Sequence, residues 1–227
     1  MKNRRLTHIY RPGSIFRTEN LMFLAIAYMF TDPMITLTDM FSAWETMCAG
    51  QLRSMTWGNW RYEGVIYPKT ADPLNPEGKM CLYAPDVTVG PDGRYYLYYV
   101  LDKVSVVSVA VCDTPAGKYE FYGYVHYEDG TRLGEKEGDE PQFDPGVLTE
   151  GDVTYLYTGA CGKGDKSRTG AMATVLGADM LTIREAPVFV APGCEYGAGT
   201  GFEGHEFFEA SSIRKVGDTY YLSIHPY

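Results

Sequence analysis

The chain has 227 residues, of which 45% are hydrophobic and 22% charged, and this composition is typical of one folded globular domain. Its formal net charge of −9 argues against a protein that binds nucleic acid, because nucleic acid is bound by basic surfaces. The 19 tyrosines and 25 glycines favour a β-rich protein with many turns.

The first part of the chain differs from the rest. Residues 1–56 lack an alternating strand followed by a glycine turn, although Asp32-Pro33 could open one. Further on, Trp60–Tyr67 is predicted to be a strand that closes a first sheet, and the Pro- and Gly-rich segment Thr70–Lys79 is predicted to be a connection. We therefore divide the chain into an atypical N-terminal segment, residues 1–56, and a repetitive region, residues 57–227.

Two four-stranded units and the beginning of a third are predicted in the repetitive region. The strands of the first unit are predicted at residues 86–89, 94–101, 104–112 and 119–126. The second unit starts at Asp144 and continues through 155–157, 171–176 and 182–190. The third starts at Glu209, and only about two of its strands precede the last residue, Tyr227.

These units repeat one pattern. In each, an acidic residue opens the first strand and is followed, at nearly the same offset, by a glycine turn and a Tyr-rich strand. The acidic residues are Asp86, Asp144 and Glu209, and the leucines of the Tyr-rich strands are Leu97, Leu156 and Leu222. A repeat of short strands at this spacing predicts the blades of a β-propeller. Because the first strand of every blade lines the central channel, we expect the three carboxylates to converge on one site.

Three motifs of this pattern resemble glycoside hydrolase family 43. The family's signature in blade two is similar to Tyr83-Ala84-Pro85-Asp86, and its signature in blade three is similar to Phe143-Asp144-Pro145. The segment of blade four that carries the general acid in the family is similar to Phe207–Lys215. The resemblance covers residues 57–222. It implies an all-β, five-bladed β-propeller, of which this chain contains about three and a half blades: an atypical blade one, blades two and three, and the start of blade four. It also implies inverting hydrolysis of arabinose- or xylose-containing glycans.

The resemblance assigns roles to four residues. It implies that Glu209 is the general acid and that Asp144 raises the pKa of this acid by like-charge repulsion, so that the acid stays protonated near neutral pH. An inverting enzyme needs a second carboxylate, about 6.5–9.5 Å from the acid, that activates water. Asp86 is predicted either to bind a sugar hydroxyl in the channel or to be structural. For His205 and Glu206, the sequence favours hydrogen bonds within their loop, and the alternative is that one of them, such as His205, contacts substrate.

No metal or other cofactor is predicted. His205-Glu206 is not part of an HExxH motif, and none of the five cysteines forms a CxxC pair, so neither zinc nor a disulfide framework is expected. Free thiols favour a reducing compartment, and we expect a cytoplasmic protein with no membrane partner. The apolar run Leu21–Phe30, too short to span a bilayer, leaves a secreted protein with a signal peptide as the alternative.

The catalytic base of the family opens blade one, and residues 1–56 do not show that pattern. Some of the codon choices that encode Ile15–Phe23 give another peptide when the reading frame is moved two nucleotides forward. One such peptide is Ile-Pro-Asp-Gly-Glu-Pro-His-Val, which resembles the start of blade one in the family. We therefore hypothesise that the gene carries frame errors at both ends and that the base is missing. Without a base and a closing blade, we expect the 227-residue chain to be nearly inactive and poorly folded.

The sequence as a whole predicts an enzyme that hydrolyses an oligo- or polysaccharide containing arabinose or xylose. One alternative is a sister five-bladed family that acts on fructosides or mannosides by hydrolysis or phosphorolysis. Phosphorolysis would need several basic residues at the pocket, and only Arg214 and Lys215 lie near an acidic motif. The other alternative is a sugar-binding propeller without catalysis.

Overall fold

The structure, a computed structural model, describes residues 49–56, 59–160 and 169–226. The apolar run, Asp32-Pro33 and the frame-error hypothesis for the N-terminus lie outside these residues. The described part of the chain forms strands and one short 3-10 helix, Lys69–Ala71.

The strands form four antiparallel sheets, each built from consecutive strands. The first sheet contains β1 (Ala49–Thr56) and β2 (Asn59–Tyr67). The second contains β3 (Leu82–Val89), β4 (Tyr95–Leu101), β5 (Val107–Cys112) and β6 (Glu120–Tyr124). The third contains β7 (Gln142–Glu150), β8 (Val153–Ala160), β9 (Gly170–Leu176) and β10 (Ile183–Pro192). The fourth contains β11 (Phe207–Val216) and β12 (Thr219–Pro226).

Every predicted strand after residue 59 is present within a few residues, so the two four-stranded units are confirmed. The structure adds one strand that the sequence pattern did not predict, β1, which pairs with β2. The division of the chain after residue 56 stays a prediction, and it falls between two strands of one sheet.

The strand β4 is apolar on both of its faces, and this explains how the sheets stack. Successive side chains of a strand point to opposite faces, and six of the seven residues of β4 are buried. Tyr96, Tyr98 and Val100 pack on one face against residues of the third sheet such as Leu156. On the other face, Leu97, Tyr99 and Leu101 pack against residues of the first sheet and its connection. The central strand of this sheet is therefore part of two hydrophobic cores.

A third core joins the third and fourth sheets. It contains Ala171, Ala191 and Phe207, with Phe143 and Phe202 packed against it. Each apolar cluster thus lies between consecutive sheets, which is the packing of propeller blades. The strands β3, β7 and β11 are the first strands of the second, third and fourth blades. They are neighbours at the axis, where the hydroxyl of Thr88 in β3 donates to that of Thr149 in β7 (3.0 Å).

The connection between the first two blades is held by a buried carboxylate. Asp72 has no exposed surface, and it accepts hydrogen bonds from the Tyr99 hydroxyl (2.7 Å), the Tyr124 hydroxyl (3.2 Å) and the Leu74 N–H (2.8 Å). Asn75, which is also buried, bonds the backbone of Met80 in both directions. These contacts satisfy polar groups that would otherwise be costly to bury.

Candidate active site

The three inner strands share a backbone irregularity at their start. The register of β3 with β4 shifts by one residue between Tyr83 and Asp86, that of β7 with β8 between Phe143 and Gly146, and that of β11 with β12 between Glu209 and Ser212. The second residue of each irregularity has a positive φ. These residues are Ala84 (44°), Asp144 (47°) and Ala210 (62°).

This shared geometry corrects one expectation from the sequence. Asp86, Asp144 and Glu209 are not at equivalent positions in their blades. By register, Asp144 corresponds to Ala84 and Ala210, whereas Glu209 corresponds to Tyr83 and Phe143. Asp86 lies two positions after Ala84, the residue of its strand that corresponds to Asp144. The sequence pattern grouped acidic residues that lie 11, 12 and 13 residues before Leu97, Leu156 and Leu222, and it treated these different offsets as one position.

Asp144 and Glu209 nevertheless lie close to each other. The Oδ2 atom of Asp144 accepts a hydrogen bond from the N–H of Ala210 (2.9 Å), the residue that follows Glu209. Both side chains are partly exposed to solvent. The left-handed backbone at Asp144 and at Ala210 is uncommon for residues other than glycine and occurs often at functional sites. The structure therefore brings together the predicted acid and its predicted neighbour from two blades.

A glycine permits the close approach of the two strands that carry this pair. A Cβ atom added to Gly146 of β7 would lie 2.6 Å from the carbonyl oxygen of Ser211 in β11 and 3.2 Å from the Cα of Ser212. Real Cβ atoms do not approach backbone so closely. The absence of a side chain at residue 146 therefore sets the spacing of β7 and β11.

Asp86 lies deeper in the structure and is ion-paired. Its side chain is 6% exposed, and its two oxygens accept hydrogen bonds from Nη2 (2.9 Å) and Nη1 (3.2 Å) of Arg214. The N–H groups of Val87 (3.0 Å) and Val147 (2.8 Å) donate to the same carboxylate. Burial raises the pKa of the Asp86 carboxyl, while the Arg214 guanidinium and these N–H groups act against that rise. These contacts give Asp86 the structural role that the sequence left open, and a contact with a sugar stays a prediction.

A second ion pair joins blades three and four, at the opposite end of their inner strands. The Lys215 ammonium and the Tyr220 hydroxyl both contact the carboxylate of Glu150. The hydrogen bond from Lys215 is the largest of the contacts that lower the pKa of Glu150. Both basic residues that follow Glu209 in the sequence, Arg214 and Lys215, are therefore paired with acidic residues.

The residues before Glu209 have separate roles. The Glu206 carboxylate accepts a hydrogen bond from the Gly204 N–H (3.0 Å), which is a contact within the loop. His205 is exposed and its backbone N–H donates to the Phe202 carbonyl (2.7 Å). Its predicted contact with substrate stays a prediction. Phe207 is fully buried in the core between the third and fourth blades.

Metal-binding clusters and membrane-spanning helices were sought among the described residues. These residues include no group of three or more His, Cys, Asp or Glu side chains that could hold a metal ion. They also include no helix long and apolar enough to cross a membrane.

Comparison with known proteins identifies the family. The family model described as "Glycosyl hydrolases family 43" matches residues 40–225. The chain belongs to glycosyl hydrolases family 43. It is also 81% identical, over 163 residues, to a curated "Xylosidase/arabinosidase" from Thermoclostridium stercorarium. That match covers 72% of this chain and 34% of the relative, so the chain spans about a third of the relative's length.

Solved structures of family 43 proteins have the same fold. An α-L-arabinofuranosidase from Clostridium thermocellum is 22% identical, with a TM-score of 0.53, over 78% of this chain and 52% of that chain. A family 43 enzyme from Xanthomonas citri, complexed with xylotriose, is 21% identical, with a TM-score of 0.56, over 77% of this chain and 56% of that chain. These family 43 structures are five-bladed β-propellers, so the predicted fold class is confirmed. The chain spans about half the length of these structures.

Proposed function

We propose that this family 43 protein hydrolyses O-glycosidic bonds in oligo- or polysaccharides that contain arabinose or xylose, and that Glu209 is the general acid of an inverting reaction. The observation that carries the proposal is the hydrogen bond from the Ala210 N–H to Asp144, which holds two acidic residues of neighbouring blades together. The name of the Thermoclostridium relative, a xylosidase/arabinosidase, supports the sugar class.

In this mechanism the two acidic residues have different tasks. Glu209 protonates the oxygen of the leaving group as the glycosidic bond breaks, and this transfer contributes about 10²–10⁴-fold to the rate. It must therefore be protonated near neutral pH. We assign Asp144 to the role of its acidic neighbour on the basis of the family resemblance, and the Ala210 N–H holds the Asp144 carboxylate beside Glu209.

The second carboxylate of an inverting reaction activates water on the opposite face of the sugar ring. We assign it to blade one, on the basis of the family resemblance, and residues 1–48 of this chain lie outside the described residues. No covalent intermediate forms in this mechanism, so hydrolysis depends on this base as well as on Glu209.

Phosphorolysis is the weaker candidate for this site. A phosphorylase binds inorganic phosphate through several basic side chains near the acid. The two basic residues nearest to Glu209 along β11, Arg214 and Lys215, are already paired with Asp86 and Glu150. Water is therefore the better acceptor for the sugar.

The proposal is tested with aryl α-L-arabinofuranosides and β-D-xylosides, and with arabino- and xylo-oligosaccharides as natural substrates. Both the 227-residue chain and the product of a frame-corrected gene are assayed, and the anomer released first is identified by ¹H NMR. Hydrolysis with inversion of configuration by the frame-corrected protein supports the proposal. Binding of the glycans without turnover by both proteins would instead favour a sugar-binding propeller, and phosphate-dependent release of a sugar phosphate would favour a phosphorylase.

A further inference from the structure

One buried carboxylate contacts both of the strands that carry the candidate catalytic pair. Asp86 belongs to β3, yet it accepts the Val147 N–H of β7 (2.8 Å) and both terminal nitrogens of Arg214 in β11 (2.9 and 3.2 Å). Asp144 lies three residues before Val147, and Glu209 lies five residues before Arg214. Asp86 is therefore bonded to the two strands within a few residues of the pair.

These contacts form a rigid connection. The Asp86 side chain is 6% exposed and that of Arg214 is 24% exposed, so little water competes for their hydrogen bonds. A guanidinium that donates two hydrogen bonds to one carboxylate has a fixed orientation. The Val87 N–H fixes the carboxylate to its own strand. A change in either partner would therefore alter the relative position of three blades.

We propose that Asp86 is a positioning residue, which with Arg214 fixes β7 against β11 and so sets the distance between Asp144 and Glu209. The inference rests on the proposed function, because it concerns the geometry of the proposed acid and its neighbour. It assigns to Asp86 a task that differs from the predicted contact with a sugar hydroxyl.

The distance between two carboxyl groups determines how strongly they repel each other. A larger separation weakens this repulsion. Loss of the Asp86–Arg214 connection is therefore expected to lower the pKa of Glu209. Among the described residues, the titratable or charged groups on the elements that pack around Glu209 include Asp144 and Glu150 on β7, Tyr155 and Tyr157 on β8, Tyr220, Tyr221 and His225 on β12, Arg214 and Lys215 on β11 itself, and His205 and Glu206 on the preceding loop.

Two substitutions with opposite effects on charge separate positioning from simple electrostatics. Asp86→Asn removes a negative charge, and by charge alone it would lower the pKa of Glu209. Arg214→Met removes a positive charge, and by charge alone it would raise this pKa or leave it unchanged. If Asp86 and Arg214 act by positioning, both variants lower it, because in both the two carboxyl groups move apart.

The pKa of Glu209 is measured in ¹³C-glutamate-labelled protein by NMR, with its signal assigned by Glu209→Gln. The alkaline limb of kcat/KM against pH is measured in parallel. We expect both to move to lower pH in Asp86→Asn and in Arg214→Met. A pKa that rises or does not change in Arg214→Met would overturn the proposal. If Arg214→Met does not fold, Arg214→Lys decides: it keeps the charge and loses the paired geometry, so a lowered pKa supports positioning and an unchanged one refutes it.

Two matched controls come from the same molecule. Asp72→Asn removes another buried carboxylate, in the connection before blade two, and Glu150→Gln removes an acidic residue that joins blades three and four at the far end of β7. We expect neither to change the pKa of Glu209. Equal shifts in Asp72→Asn would show that general loosening explains the effect, and would overturn the proposal. Because the NMR titration needs no turnover, a wild-type protein without hydrolase activity would sink the proposed function while the positioning of Glu209 would still be measured.

Discussion

Substitution of Gly146 by alanine tests how closely the two catalytic strands approach each other. The new Cβ would lie 2.6 Å from the Ser211 carbonyl oxygen and 3.0 Å from the Ser211 carbonyl carbon. Both atoms belong to the backbone of β11, so no side-chain rotation relieves the contact. The strand itself must shift, and overpacking of this kind costs about 1–3 kcal/mol.

The lower conformational entropy of alanine in the unfolded chain offsets part of this overpacking cost. Gly146 is outside the left-handed region, so alanine can adopt its backbone conformation and gains about 0.4–1 kcal/mol from the unfolded state. The difference between the two ranges is about 0–2.6 kcal/mol, with a midpoint of about 1.3 kcal/mol, and a loss of about 1.3 kcal/mol lowers the Tm of a protein of this size by about 3–5 °C. The displacement of β11 also weakens the hydrogen bond between the Ala210 N–H and Asp144.

The assay is differential scanning calorimetry of Gly146→Ala beside Gly201→Ala. Gly201 is exposed, and an added Cβ there would meet no atom within 4 Å, so this variant keeps or slightly raises the Tm. If Gly146→Ala were as stable as Gly201→Ala, the inner strands would not be in close contact at this point, and our account of their spacing would be refuted.

Three further predictions concern single sites and the chain as a whole. Asp144→Asn removes the like charge beside Glu209, so the alkaline limb of kcat/KM should move to lower pH; an unmoved limb in a folded variant would make Asp144 structural. Asp72→Asn should lower the free energy of unfolding in urea by about 1–3 kcal/mol, because the buried donors that bond the Asp72 carboxylate would then meet an amide NH₂ group in place of one acceptor oxygen. Asp113→Asn, in an exposed turn, should change the free energy of unfolding little. The 227-residue chain should show little turnover compared with the frame-corrected protein; comparable turnover with a cooperative thermal transition would show that Asp32 or another residue supplies the base.

The strands of the second and third blades could be predicted from local sequence because they are short apolar stretches bounded by turn residues, and several of them are rich in Tyr or Val. The Tyr95–Leu101 strand illustrates this, since its continuous apolar run packs into two cores. The strand at Ala49–Thr56 was missed because its sequence, AGQLRSMT, has neither the apolar alternation nor the aromatic residues that mark the others.

The site was predicted less completely than the fold. Asp144 and Glu209 were found because acidic residues at the start of inner strands form a repeated pattern. The ion pair of Asp86 with Arg214 joins residues 128 positions apart in the sequence, and no local pattern predicts such a contact. The sequence did place Gly146 directly after Asp144-Pro145, but only the structure shows that Ser211 of the neighbouring blade occupies the space a side chain would need.

The central claim is that Glu209 protonates the leaving group, and one comparison of substrates tests it most directly. Glu209→Gln in the frame-corrected protein is assayed on an arabino- or xylo-oligosaccharide, whose leaving group needs a proton, and on a 2,4-dinitrophenyl glycoside, whose leaving group does not. We predict that kcat/KM falls by about 10²–10⁴-fold on the oligosaccharide and far less on the activated glycoside. Equal losses on both substrates would contradict the assignment of Glu209 as the general acid.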